Sequence, residues 1–101
     1  MTLIIAGTLT IDPSKTDDAM AAMVEMMKAT HSEEGNVAYV FSVDPIEPGL
    51  IHLFEKWASA DALAAHGKTP HMATFQAAMG GFGVKGADIK KYEISSEGPL
   101  R

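Results

Sequence analysis

The chain of 101 residues contains no cysteine. Disulfide bonds, thiol nucleophiles and cysteine-ligated metal sites are therefore excluded. No apolar run approaches the roughly 20 residues that a membrane-spanning helix needs, and the first residues do not form a signal-peptide pattern. These absences predict a cytoplasmic protein that does not cross a membrane.

Basic residues are also scarce. Eight lysines and arginines stand against 13 acidic residues, which gives a net charge of -5, and Lys90-Lys91 is the only basic doublet. Nucleic acids and anionic membranes both attract clustered basic side chains, so we expect neither as a partner. The length instead fits one domain over residues 1–101.

Hydrophobic periodicity predicts the secondary structure. We place four strands, at Leu3–Ile11, Val37–Val43, Leu50–Trp57 and Asp88–Ile94. A helix ends near His31 and carries an apolar stripe of Met20, Met23, Val24 and Met27. A second helical region is split into Ala60–His66 and Pro70–Met79. The order βαββαβ predicts an α+β ferredoxin-like fold, with an antiparallel sheet and helices on one face.

The break in the second helical region places two of the four histidines at helix ends. Ser59 and Thr69 are typical N-caps, Pro70 suits a first helical position, and Gly67 is expected to close the preceding helix in a left-handed conformation. A helix C-terminus favours the charged imidazolium of His66, and a helix N-terminus favours neutral His71. We therefore interpret His71 as a candidate base and His66 as a candidate proton donor.

The first three strands carry apolar or aromatic residues on both faces. Helices cover only one face, and a large exposed apolar surface usually marks an interface. The pattern therefore predicts a homodimer in which two sheets face each other.

Several segments give the chain a family resemblance. It resembles the antibiotic biosynthesis monooxygenase superfamily of dimeric ferredoxin-like proteins, which form dimeric α/β barrels, and most of all its quinol-monooxygenase branch. The resemblance spans about Leu3 to Tyr92. It rests on three segments, namely Glu33-Glu34-Gly35-Asn36, Glu55-Lys56-Trp57 and the run from Ala62 to Met72.

The resemblance implies oxidation of a small quinol- or anthrone-like aromatic by dioxygen, without flavin, haem or metal. Three departures narrow this expectation. Gly7 stands where haem-degrading relatives have an asparagine, and Gln76 lies near the position of their haem-ligating histidine. Leu63 stands where anthrone-oxidising relatives have a tyrosine. Haem degradation is therefore not expected, and an anthrone is not assumed.

The predicted site combines a base, an apolar pocket and a flat aromatic wall. We assign His66 and His71 as catalytic residues. No third ligand is evident beside these two histidines, so no metal site is expected. The predicted substrate-binding residues are Trp57, Glu55, Tyr39, Phe75 and Met79.

Two other functions stay open. One is a proton-shifting isomerase that uses the same two histidines, similar to the autoinducer-2 phosphate-processing enzyme of the superfamily. The other is a non-catalytic dimeric binding module, in which His66 and His71 only cap helices and Trp57 belongs to the core. A monooxygenase consumes oxygen and an isomerase does not, so oxygen uptake distinguishes these two functions. A binding module would turn over no aromatic compound at all.

Overall fold

The computed structural model describes residues 1–101. Its elements are β1 (Leu3–Thr10), α1 (Thr16–Thr30), β2 (Asn36–Val43), β3 (Leu50–Trp57), α2 (Ala60–His66), α3 (Pro70–Met79) and β4 (Gly86–Glu93). A short 3₁₀ turn, Pro13–Lys15, precedes α1. None of the helices combines the length and the apolar character that crossing a membrane would require.

The four strands form one antiparallel sheet in the order β2-β3-β1-β4. This is the predicted ferredoxin-like α+β arrangement, including the split second helical region. The register places Tyr39 on β2 opposite Glu55 on β3. On β1, Gly7 lies so close to β4 that a Cβ atom would stand 2.0 Å from the backbone oxygen of Asp88. Glycine therefore permits this strand pairing.

The helices cover one face of the sheet, and the core lies between the two layers. Ile51 and Trp57 on β3 and Met23 on α1 are fully buried there. The opposite face carries Phe54 and Tyr92, which are 41% and 48% exposed, and no helix covers it.

The caps at the helix break follow the sequence signals. The side chains of Ser59 and Thr69 each accept a hydrogen bond from the backbone N–H three residues later, and Pro70 opens α3. The expected left-handed closure at Gly67 is wrong, because its φ is −63°. The backbone instead continues in a right-handed turn, and the hydroxyl of Thr69 donates to the backbone oxygen of His66.

One apolar residue on β2 and one on the predicted stripe of α1 are exposed. Val37 lies at a register shift between Asn36 and Ala38, and it is 59% exposed because the bulge turns it away from the core. On α1, Val24 is exposed and Met26 is buried instead, so the buried stripe is rotated from the predicted one.

Candidate active site

An apolar pocket of about 300 Å³ lies between α3 and the helix-covered face of the sheet. Four of the predicted substrate-binding residues line it, namely Tyr39, Glu55, Phe75 and Met79. The rest of the wall is aliphatic or contains Met and Phe side chains, contributed by Leu9, Phe41, Leu53, Met72, Val84, Ala87 and Ile89. Pockets of this size and character suit a small aromatic molecule.

Glu55 is the only charged residue on the pocket wall. Burial raises its pKa from the ordinary value of 4.5. A hydrogen bond of 2.9 Å, donated by the indole Nε1 of Trp57 to Oε1 of Glu55, partly offsets this effect. The charge of His66 also lowers the pKa of Glu55, whereas that of Glu33 raises it. The pocket therefore presents a carboxyl group whose proton affinity is increased by its apolar surroundings.

Tyr39 adds a hydroxyl group to the same wall. Burial raises the pKa of this hydroxyl, and the nearby charges of Glu55 and Glu33 raise it further. The Tyr39 side chain consequently stays protonated across the physiological pH range and can donate a hydrogen bond.

His66 lies behind the pocket wall. Its ring centroid is 4.8 Å from that of Trp57 and 5.3 Å from that of Tyr39. The side chain is only 4% exposed. His66 therefore contacts Tyr39, which lines the pocket, and Trp57, which is hydrogen-bonded to Glu55.

Glu33 joins the two predicted catalytic histidines. Its Oε2 atom lies 2.8 Å from Nδ1 of His66 and 2.7 Å from Nε2 of His71. The three side chains come from the turn after α1, the end of α2 and the first turn of α3. We call Glu33, His66 and His71 the Glu-His-His triad.

His71 faces away from the pocket. It lines a groove of about 360 Å³ between α1 and α3, and its side chain is 27% exposed. Phe75 lines both the groove and the pocket and thereby separates them. The Glu-His-His triad thus runs from an accessible groove to a histidine buried behind the pocket.

The structure brings the predicted residues together in two layers. Tyr39, Glu55, Phe75 and Met79 line the pocket. Trp57 is fully buried and reaches the pocket only through its bond to Glu55. Neither His66 nor His71 is part of the pocket wall.

Glu33 is the main residue that the sequence analysis missed. In the sequence, Glu33 was noted only as part of Glu33-Glu34-Gly35-Asn36, one of the segments on which the family resemblance rests. No periodicity relates it to residues 33 and 38 positions further along the chain, so its two histidine contacts depend on the tertiary structure. Its place in that segment was the available signal.

The Glu-His-His triad also supplies the third ligand that the sequence did not reveal. Its ligand atoms all lie within 4.8 Å of one another, so these residues could approach a common metal ion. A metal on Nδ1 of His66 would force the ring proton onto Nε2, which is buried and has no hydrogen-bond partner. Nδ1 of His66 and Nε2 of His71 are each already hydrogen-bonded to the same carboxylate oxygen, Oε2 of Glu33. This geometry favours a hydrogen-bonded triad over a metal centre.

Solved structures of other proteins share this architecture. A candidate antibiotic biosynthesis monooxygenase from Caulobacter crescentus is 25% identical, with a TM-score of 0.85, and the match covers 94% of this chain and 91% of that one. Another from Deinococcus radiodurans is 24% identical, with a TM-score of 0.88 and 98% coverage of both chains. Rv0793 from Mycobacterium tuberculosis is 20% identical and has a TM-score of 0.86, with 98% of this chain and 100% of that one covered.

An uncharacterised curated relative, sll1783 from Synechocystis, is 29% identical over 93 residues. The match covers 92% of this chain but only 63% of the length of that relative.

The chain is a ferredoxin-like α+β protein with an apolar pocket between helix and sheet. The family model for antibiotic biosynthesis monooxygenase matches residues 2–78. The chain therefore belongs to the antibiotic biosynthesis monooxygenase family.

Proposed function

We propose that this protein is a cofactor-independent monooxygenase that oxidises a small quinol- or anthrone-like aromatic with dioxygen. One observation carries the proposal: an apolar pocket of about 300 Å³ holds a single carboxyl group, Glu55, whose pKa is raised by burial. Such a pocket accepts a flat uncharged ring and offers one base to its acidic hydrogen.

The chemistry begins with removal of a proton from the substrate. A neutral phenol reacts slowly with triplet dioxygen, whereas its anion can give up one electron. The substrate radical and superoxide then combine into a peroxide, and the O–O bond breaks. One oxygen atom stays in the product, as the new carbonyl of an anthrone-derived quinone or as the ring hydroxyl of a hydroxyquinone. The other oxygen atom leaves as water with the two hydrogens lost by the substrate. The substrate supplies all four electrons, so the reaction needs no external reductant.

Glu55 is the group that we assign to the first proton transfer, because it is the carboxylate on the pocket wall. Tyr39 can donate a hydrogen bond to a substrate oxygen, and Phe75 and Met79 contribute apolar wall. The catalytic role predicted for His66 and His71 stays a prediction. Because neither ring lines the pocket, we propose that they act through Glu55.

The composition of the pocket wall supports this function over the isomerase alternative. A phosphorylated substrate would need convergent basic side chains. No lysine or arginine lines the pocket, so an uncharged aromatic is the better fit.

The test is oxygen uptake by the purified protein over a panel of benzohydroquinones, naphthohydroquinones and anthrones, without added flavin or metal. We expect turnover of at least one of these compounds. The Glu55→Gln variant should lower kcat by about 10²- to 10⁴-fold, the usual contribution of an acid–base group. Glu93→Gln, an exposed acidic residue on β4, is the matched control and should retain wild-type activity.

Two results would contradict the proposal. The first is no oxygen uptake with any of these compounds. The second is full activity of Glu55→Gln, which would leave the pocket carboxylate without a role in the reaction.

We also propose that a second copy of the chain covers the open face of the sheet. Phe54 lies between Val40 and Ala6 in the strand register, and Tyr92 lies opposite Ile4 on the same face. Burying these partly exposed apolar side chains would remove them from water, which favours association.

A further inference from the structure

The buried ring of His66 has one unsatisfied nitrogen. Nδ1 lies 2.8 Å from Oε2 of Glu33, but Nε2 is buried without a hydrogen-bond partner. Buried polar atoms are normally paired, so an exception calls for an explanation. The neighbours of His66 are the rings of Trp57 and Tyr39, and both are linked to the pocket.

We propose that Glu33 is a positioning residue that holds the proton of His66 on Nδ1 and leaves Nε2 bare beside the rings of Trp57 and Tyr39, and that this arrangement sets the electrostatic surroundings of Glu55, with His71 connecting the pair to the groove. This proposal deepens the proposed function and rests on it for the role of Glu55. The state of the His66 ring can be measured without any substrate.

The hydrogen-bond roles follow from the donor and acceptor groups. As a carboxylate, Glu33 can only accept, so the Nδ1 atom of His66 must carry the hydrogen of their bond. In an uncharged imidazole the other nitrogen then has a free lone pair, because the bond made by one ring nitrogen fixes the state of the other. The same argument places a hydrogen on Nε2 of His71.

The triad acts on Glu55 by way of Trp57. The ring of His66 lies 4.8 Å from that of Trp57, which donates the 2.9 Å hydrogen bond to Glu55. A positive charge on His66 lowers the pKa of Glu55, and the negative charge of Glu33 raises it. Removing the charge of Glu33 should therefore change the pH range in which Glu55 accepts the substrate proton. Glu55 returns this proton to the hydroxide that leaves when the peroxide bond breaks, so no net proton is gained or lost.

Few other ionisable groups face the triad. Glu55 on β3 and Tyr39 on β2 lie on the pocket side. Glu25 on α1 lines the groove beside His71. A pH dependence of the triad can therefore arise from the triad itself or from one of these three groups, and single substitutions can distinguish among them.

The first experiment is long-range ¹H–¹⁵N NMR of the histidine rings in the wild-type protein. We expect a protonated Nδ1 and a bare Nε2 on His66, and a shift toward protonated Nε2 in Glu33→Ala. His52 is an internal reference, because its Nε2 lies 2.8 Å from Asp44 at the surface. A wild-type spectrum with the proton on Nε2 of His66 would overturn the proposal. So would Zn²⁺ or Co²⁺ at stoichiometric concentration shifting the signals of both triad histidines.

The second experiment is the pH–rate profile of oxygen uptake. Glu33→Gln should lower kcat by about tenfold to a hundredfold with little change in KM, and it should change the shape of the profile. Glu33→Asp should recover at least part of the lost rate, because it restores the carboxylate. The matched control, Asp44→Asn, removes a histidine–carboxylate contact at the surface and should leave the rate unchanged.

The two proposals can fail separately. If the wild type consumes no oxygen, the proposed function is wrong, while the NMR spectrum still decides the state of His66. If the wild type is active and Glu33→Gln has the wild-type kcat and pH–rate profile, Glu33 has no positioning role.

Discussion

Replacing Trp57 with phenylalanine removes the one hydrogen bond that Glu55 receives from a side chain inside the protein. A hydrogen bond to a charged group contributes about 1.5–3 kcal/mol to the free energy of unfolding. Phenylalanine is also roughly 40 Å³ smaller than tryptophan, and at about 24 cal/mol per Å³ the resulting cavity adds about 1 kcal/mol. Because Trp57 is fully buried, both effects apply in full. We therefore expect Trp57→Phe to destabilise the fold by about 2.5–4 kcal/mol at pH 8.

This destabilisation should depend on pH. The pKa of Glu55 is raised above its ordinary 4.5, so the folded protein binds this proton more tightly than the unfolded chain does. The wild type and the Trp57→Phe variant therefore both lose stability as the pH rises through the pKa of Glu55. The variant should lose more, because its carboxylate has no indole donor. At pH 4, where Glu55 is protonated, the hydrogen bond is neutral and contributes only about 1 kcal/mol. Together with the cavity, Trp57→Phe should then destabilise the fold by only about 2 kcal/mol.

Urea unfolding of both proteins at pH 4 and pH 8 measures this difference. Ile51→Val is the matched control, because Ile51 is a fully buried residue on the same strand without a polar contact. It should cost about 1 kcal/mol at both pH values. A Trp57→Phe penalty near that of the control, and equal at both pH values, would refute the assigned bond and the burial argument for Glu55.

Three further predictions concern stability and assembly. Gly7→Ala should destabilise the fold by about 3 kcal/mol or more in urea unfolding, because its Cβ would lie 2.0 Å from the β4 backbone. An unfolding midpoint equal to that of the wild type would contradict the observed strand pairing. Asp44→Asn should lower the melting temperature at pH 6, because the N–H of Glu47 and the ring of His52 hold the pKa of Asp44 at about 2. This difference should shrink as the pH falls from 3.8 toward 2, and a constant difference would show that the charge of Asp44 is not responsible. Phe54→Lys on the open face should give a monomer by light scattering where the wild type is a dimer, and a monomeric wild type would rule out the proposed assembly.

The elements of this fold were predictable because their signals are local. The caps at Ser59 and Thr69 and the proline at position 70 fix where α2 and α3 begin, and each acts within a few residues. The errors have a different origin. On α1, Ala19, Met23, Met26 and Thr30 follow the same helical spacing as the predicted stripe, so the sequence offered two candidate faces. Packing against α3 and β2 selected one of them.

The candidate site was predicted by residue type but not by arrangement. Four of the five predicted substrate-binding residues line one pocket, because alternation along a strand and spacing along a helix assign side chains to faces. The roles of Glu55 and the histidines could not be assigned in this way. Which of them reaches the pocket depends on how α2 and α3 lie on the sheet.

The sequence by itself determined the βαββαβ order, the split second helical region and the family, because strand alternation, helix caps and short motifs act over a few neighbouring residues. Only the tertiary structure brought Glu33 to two histidines that lie 33 and 38 residues further along the chain. It also placed Glu55 on the pocket wall and His66 behind it. Contacts of this kind arise when separate elements pack around one core, and no local pattern encodes them.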